Sequence, residues 1–262
     1  MSNVIETIKG PDDWCAKLYY DEDPGSPRGW DNYAELILFH RRYTLGDKHG
    51  FRHGDYDGWE ELAAAIESDR APLRIWPVAM YDHSGLAFTI GAAGAFACDQ
   101  AGWDSGQIGF AIVTEERLRA GFGKGPAEMT PEDWTIIEGA VRGELEVYER
   151  YVNGDCYGYQ VEDADGEEAD SCWGFYGLDD AMEAAREALA DAHAAFIKQK
   201  QEAAALVPLD QPVYRADESK VAVVVRALLE ASVWFGVTPL PDGIWEVTVK
   251  PGDGSVLRSC AL

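Results

Sequence analysis

Apolar positions recur along this chain with two different periods, and each change of period marks a change from strand-like to helix-like sequence. RIWPVAMYDHSGLAFTIGAAGAFAC, from Arg74 to Cys98, holds two β-type runs broken at His83-Ser84-Gly85, and GQIGFAIVT from Gly106 supplies a third. A sheet is expected there. ELILFHRRY, from Glu35, has a length that suits a buried strand or a short helix, and periodicity does not choose between them. DYDGWEELAAAIESD reads as a short helix capped by Asp57, with Trp59, Leu62, Ala63 and Ile66 on one face.

The clearest helix starts at Thr130. TPED offers a capping hydroxyl, proline in the first turn and Asp133 at the reciprocal position of a capping box. Trp134, Ile137, Val141, Leu145 and Tyr148 then share a stripe that Asn153-Gly154 closes. A second long helix runs from Leu178 towards Leu206, with Asp179 or Asp180 as its cap and Pro208 past its end. Between the two helices, YGYQVEDADGEEADSCWGF has β-rich flanks around Asp165-Gly166, a pair suited to the positive φ angles of a tight hairpin turn. Trp173, Phe175 and Tyr176 are expected to return that hairpin to the core. The stretch 199–212 reads as a helix end and a linker, and the tail beyond it as strand, helix, strand, a turn at Pro241-Asp242-Gly243, and strand. The expectation is an α+β protein with a mixed or antiparallel sheet and two long helices. Residues 1–205 would form the main domain and 212–262 a small βαββ-like module that docks on the main domain or on a second copy of itself.

Charge narrows the functional classes. The formal net charge is −25 over 262 residues. Residues 1–150 hold 27 acids and 14 bases, 151–210 hold 14 and 3, and 211–262 hold 6 and 5. General adaptation for solubility would acidify every segment alike, whereas here the tail is nearly neutral. A surface this negative repels phosphate backbones and anionic lipid and attracts basic partners, so direct nucleic-acid binding is not expected. The start, MSNVIETIKGPDDW, lacks a basic segment followed by an apolar run, and no stretch approaches the ~18 apolar residues of a membrane span. A cytoplasmic protein is expected. Its five cysteines are widely spaced without a CxxC, which suggests reduced thiols rather than a disulfide framework or a zinc site.

Candidate chemistry is sparse. An EF-hand loop with Gly166 in its sixth place would need acids where Val161 and Cys172 stand. His49 and His53 are four apart, but GDKHGFRHGDYDG is glycine-rich and offers no third ligand. Tyr81-Asp82-His83-Ser84 puts an acid, an imidazole and a hydroxyl together, yet strand neighbours point to opposite faces. WDSGQIGF places its glycines before a strand rather than between strand and helix, unlike a phosphate loop. No cofactor and no metal are expected. An enzyme with a site assembled from Asp82, His83 and Asp104 is the alternative reading from a different class, and an acidic protein without a charge-driven partner is the plainest one.

DPGSPRGWDN, FHRRYTLGDKH, PVAMYDHSGLAFT, WDSGQIGF and GDCYGYQVEDADGEEADSCWGFYG, spanning roughly residues 22–178, together resemble a family of bacteriophage and mobile-element proteins with no established activity or catalytic residues. What the resemblance implies is a context, since small acidic proteins of mobile elements are frequently inhibitors of host defence, of anti-CRISPR or antirestriction type. The reading that follows is a non-enzymatic inhibitor that meets a basic protein or ribonucleoprotein complex through Asp163, Asp165, Glu167, Glu168 and Asp170 of the hairpin, with Asp179 and Asp180 beside them.

Overall fold

A computed structural model describes residues 4–92, 94–99, 101–205, 213–217, 220–222, 224–226, 235–240 and 243–249. Its centre is a four-stranded antiparallel sheet of β3 (Glu35–Leu38), β4 (Arg74–Asp82), β5 (Leu86–Ile90) and β6 (Ser105–Val113), in the order β3-β6-β4-β5. Strand alternation sends successive residues to opposite faces, and both faces are covered. Leu36, Leu38, Val78, Met80, Ala111 and Val113 meet Ile137, Val141, Leu145 and Tyr148 of α3 (Pro131–Val152) and Leu118 of α2 (Glu115–Phe122). Ile37, Phe110 and Ile112 meet Leu62 and Ile66 of α1 (Gly58–Arg70) on the other side. GQIGFAIVT is apolar at nearly every position because β6 is buried on both faces. ELILFHRRY resolves as a strand of four residues, and from Phe39 onward it is loop.

One irregularity shapes the sheet. Val78 pairs with Gly109 and Ala79 with Gln107, so Ile108 is the extra residue of a bulge. Gly109 is the residue that fits there, because a Cβ would overlap the Ile37 carbonyl oxygen and stand 2.9 Å from Leu38 Cα.

α3 begins as its sequence predicts. Thr130 Oγ1 accepts from the Asp133 amide at 3.2 Å while the Asp133 carboxylate accepts from the Thr130 amide at 2.9 Å. Asn153 caps its end and Gly154 follows at φ +75. Asp57 precedes α1 but makes no side-chain cap; its own amide instead donates to the Glu61 carboxylate.

A second sheet has the order β1-β2-β7-β8, built from β1 (Val4–Lys9), β2 (Cys15–Tyr20), β7 (Cys156–Glu162) and β8 (Glu168–Tyr176). α4 (Leu178–Ala205) follows, with Asp179 and Asp180 inside its first turn rather than at the cap, so the residue before the helix is Gly177, whose carbonyl accepts from Ala181. Near the C-terminus, β9 (Val213–Asp217), helical residues 220–222 and 224–226, β10 (Phe235–Pro239) and β11 (Ile244–Val249) give an antiparallel sheet ordered β10-β11-β9. The chain is an α+β protein, and no helix among the described residues is long and apolar enough to cross a membrane.

Two compact units result: Met1–Glu6, Leu18–Tyr159 and Cys172–Glu183 form one, and Thr7–Lys17, Gln160–Ser171 and Ala184–Leu262 the other. The linker expected to end at residue 212 lies, from 206 on, outside the described residues, as do Pro241 and Asp242 of the expected turn.

Candidate functional site

The acidic hairpin tip belongs to the second unit. Asp163 and Glu167 face each other through the Asp163 amide and the Glu167 carbonyl at 2.9 Å, leaving Ala164, Asp165 and Gly166 as the loop. Only Gly166, at φ +83, takes a left-handed conformation. The turn is therefore a three-residue loop closed by glycine, one residue longer than the pair Asp165-Gly166 suggested. Asp163 holds it together, its Oδ1 accepting from the amides of Asp165 at 2.9 Å and Glu167 at 3.0 Å.

The remaining carboxylates spread along the hairpin arms. Glu168 accepts from Gln160 Nε2 at 3.1 Å and Ser171 Oγ at 2.8 Å, and Asp170 accepts from the Ser171 amide at 2.9 Å. Asp165, Glu167, Glu168 and Asp170 are exposed and Asp163 is half-buried. A base is found lower on the hairpin, where Lys17 pairs with Glu162 at 2.5 Å. Among the described residues Asp163, Glu168 and Asp170 meet amide and hydroxyl donors, and none of the five carboxylates beyond it forms an ion pair.

The two helix acids lie in the first unit. Asp180 is paired with Arg150 Nη1 at 2.8 Å, so one of the ten acids in 151–185 finds a base just outside that window. Asp179 is exposed. The aromatic anchors divide as well. Tyr176 is buried and its hydroxyl donates to the Gly25 carbonyl, while Trp173 is 45% exposed and lies over Gly158 and beside Tyr19. Phe175 meets Tyr159 instead, on the other face of β7, because Gly174 at φ +88 interrupts the alternation between them.

Other quoted motifs meet within the first unit, around the loop that follows β3. Arg28, from the turn Pro27–Gly29, reaches Asp47 with Nε at 3.1 Å and Nη2 at 2.8 Å. Asp47 also takes the Leu36 amide at 2.8 Å. Glu144 of α3 accepts from the Tyr33 and Ala34 amides and stands 3.6 Å from Arg28, and burial pushes its carboxyl above the usual range. The Tyr148 hydroxyl accepts from the Gly46 amide at 2.7 Å. This buried set fixes the loop at Gly46 and Asp47.

The loop's first half turns to the β4–β5 connection. Arg42 pairs with Asp82, and His40 Nε2 stands 4.0 Å from the same carboxylate, its pKa held down by burial against the pull of Asp82. His83 turns the other way, with Nδ1 3.2 Å from Asp104 Oδ2. Thus Asp82 and His83, adjacent in sequence, serve different partners. Ser84 Oγ donates to the His83 carbonyl, and the His83–Asp104 pair is largely exposed. The three residues of the enzymatic alternative do not form a relay.

A cavity of about 740 Å³ opens beside this loop, lined among others by His40, Arg41, Tyr43, Lys48, His49 and Trp59. Sequence reasoning passed over it as a site. The available signal was local: residues 39–53 carry four Arg or Lys, one acid and three of the five histidines, a reversal of sign within a chain of net charge −25. His49 Nε2 lies 3.3 Å from the Leu38 carbonyl, and no group of three His, Cys, Asp or Glu among the described residues is arranged to hold a metal. The described cysteines are free, and burial pushes the Cys156 thiol up to about 11.

Fold and site together define an acidic α+β protein with a carboxylate-rich hairpin and a cation-lined cavity. Comparison with family models, curated proteins and solved structures finds no match for this chain.

Proposed function

We propose that the protein is a non-enzymatic inhibitor, of the kind that mobile elements direct against host defence, which binds a basic, nucleic-acid-handling protein or ribonucleoprotein through its acidic hairpin. The observation that carries this reading is the state of the five hairpin carboxylates. Asp163, Glu168 and Asp170 are held by amide and hydroxyl donors, Asp165 and Glu167 are exposed, and none of the five carries an internal counter-charge among the described residues. Duplex DNA presents one charge per ~1.7 Å, so a protein that holds it offers a basic groove that such an array can occupy. Opposite charges also steer encounter and raise association rates by ~10 to 1000-fold at low salt.

The test is phage plating on defence-competent hosts, each expressing one anti-CRISPR- or restriction-type system, with and without this protein. Protection of the phage in at least one host, lost when the exposed Asp165, Glu167, Glu168 and Asp170 become Asn or Gln, is the expected outcome. Exposed charges of this kind change stability by ~0.5 kcal/mol or less, so a variant with an unchanged melting temperature isolates recognition. Full protection by the neutralised variant would refute the hairpin as the contact surface.

A further inference from the structure

The cavity beside the β3 loop combines three features that the hairpin reading does not use. The first is unmatched positive charge. Asp47, the one acid in residues 39–53, is committed to Arg28 and the Leu36 amide, and Arg42 is committed to Asp82. Arg41 and Lys48 line the cavity, are exposed, and have no carboxylate within 4.0 Å among the described residues. The second is ring surface: His40 stacks on Tyr43 with centroids 4.9 Å apart and planes 10° from parallel, and His53 meets Trp59 at 4.5 Å. All four rings belong to the lining.

The third is size. At about 740 Å³ the cavity lies within the usual range for small-molecule sites and is far larger than an inorganic anion requires.

We propose that this cavity binds a mononucleotide, with the phosphate on Arg41 and Lys48 and the base against the ring surface. Cationic donors suit phosphate oxygens, and aromatic faces accept any base by stacking. A single nucleotide fits the charge balance better than a polynucleotide, whose further phosphates would extend into the field of a molecule of net charge −25.

Calorimetric titration of the full chain with AMP, GMP, CMP and UMP, alongside adenosine and inorganic phosphate, tests this. At least one mononucleotide is expected to bind saturably and roughly tenfold or more tighter than adenosine or phosphate alone. R41Q and K48Q should each weaken it roughly tenfold, whereas R142Q, on the exposed face of α3, should leave it unchanged. In proton NMR the ring signals of His40, His49 and His53 should shift on binding while those of His83 and His193 stay in place. No saturable binding by any of the four would overturn the proposal. So would phosphate binding as tightly as the best mononucleotide, an oligonucleotide binding more tightly than that mononucleotide, or undiminished affinity in both R41Q and K48Q. The hairpin carboxylates take no part, so failure here leaves the inhibitor reading untouched.

Discussion

Removing the Asp47 carboxylate should be among the most damaging single changes in the first unit. In Asp47→Ala, Arg28 Nε loses its acceptor and Nη2 keeps only the Ala34 carbonyl at 2.6 Å, while the Leu36 amide loses its side-chain partner. The Arg28 side chain is 6% exposed, so water does not replace what is lost. Breaking a buried pair in this way costs about 3–5 kcal/mol, and Glu144, 3.6 Å from Nη1, keeps the loss from going higher. For a chain of this size that corresponds to a melting temperature lower by roughly 6–20 °C. Thermal unfolding followed by circular dichroism would measure it. The double variant Arg28→Met with Asp47→Leu removes the stranded guanidinium together with its main partner, while Glu144 keeps the Tyr33 and Ala34 amides and the Ala34 carbonyl keeps a second donor in Arg117 at 3.1 Å. It should be about 2 kcal/mol more stable than Asp47→Ala alone. A loss below ~1 kcal/mol in the single variant, or a double variant worse than the single, would refute the account of this network.

Three further outcomes follow from the same structure. Gly109→Ala should cost about 3 kcal/mol or more in urea titrations, since its Cβ would overlap the Ile37 carbonyl and part β3 from β6; a midpoint within error of wild type would contradict the close approach. Asp133→Asn should destabilise at neutral pH: the Lys124 ammonium and the Thr130 amide hold the carboxyl below its usual range, so its contribution is present above that range and fades as pH falls through it. The gap between the melting curves of the two proteins should narrow steadily as pH falls below the usual carboxylate range, and a gap that does not narrow would assign the effect to packing. Trp173→Ala should cost about 2 kcal/mol, less than the ~3–5 for a fully buried ring, because 45% of the residue is exposed; a loss as large as for a core tryptophan would mean that the ring is covered in solution.

Local chemistry explains what could be read from the chain alone. Thr130, Asp133 and the stripe Ile137, Val141, Leu145, Tyr148 announce α3 because capping and helical periodicity operate within a few residues. The runs of β4, β5 and β6 are legible for the same reason, as is the turn at Gly166, where only a positive φ closes the hairpin. The charge reading was also local, and its limit shows at Asp180: no base lies within residues 151–185, yet Arg150 is one residue beyond. The face switch between Trp173 and Phe175 escaped because period-two alternation holds only while φ stays extended, and Gly174 leaves it.

Only tertiary structure could decide which side chains serve one another. Arg28 meets Asp47 across 19 residues, and the Tyr33 amide meets Glu144 across 111. Asp82 joins Arg42 while His83 joins Asp104, which dissolves a candidate relay that sequence adjacency alone suggested. The same folding leaves Arg41 and Lys48 without a carboxylate within 4.0 Å among the described residues, beside a cavity lined by aromatic rings. Propensity and periodicity act over one or two turns of chain, whereas the pairing of charges depends on which loops the packed sheet brings within 4 Å, and that distance bears no relation to separation along the sequence.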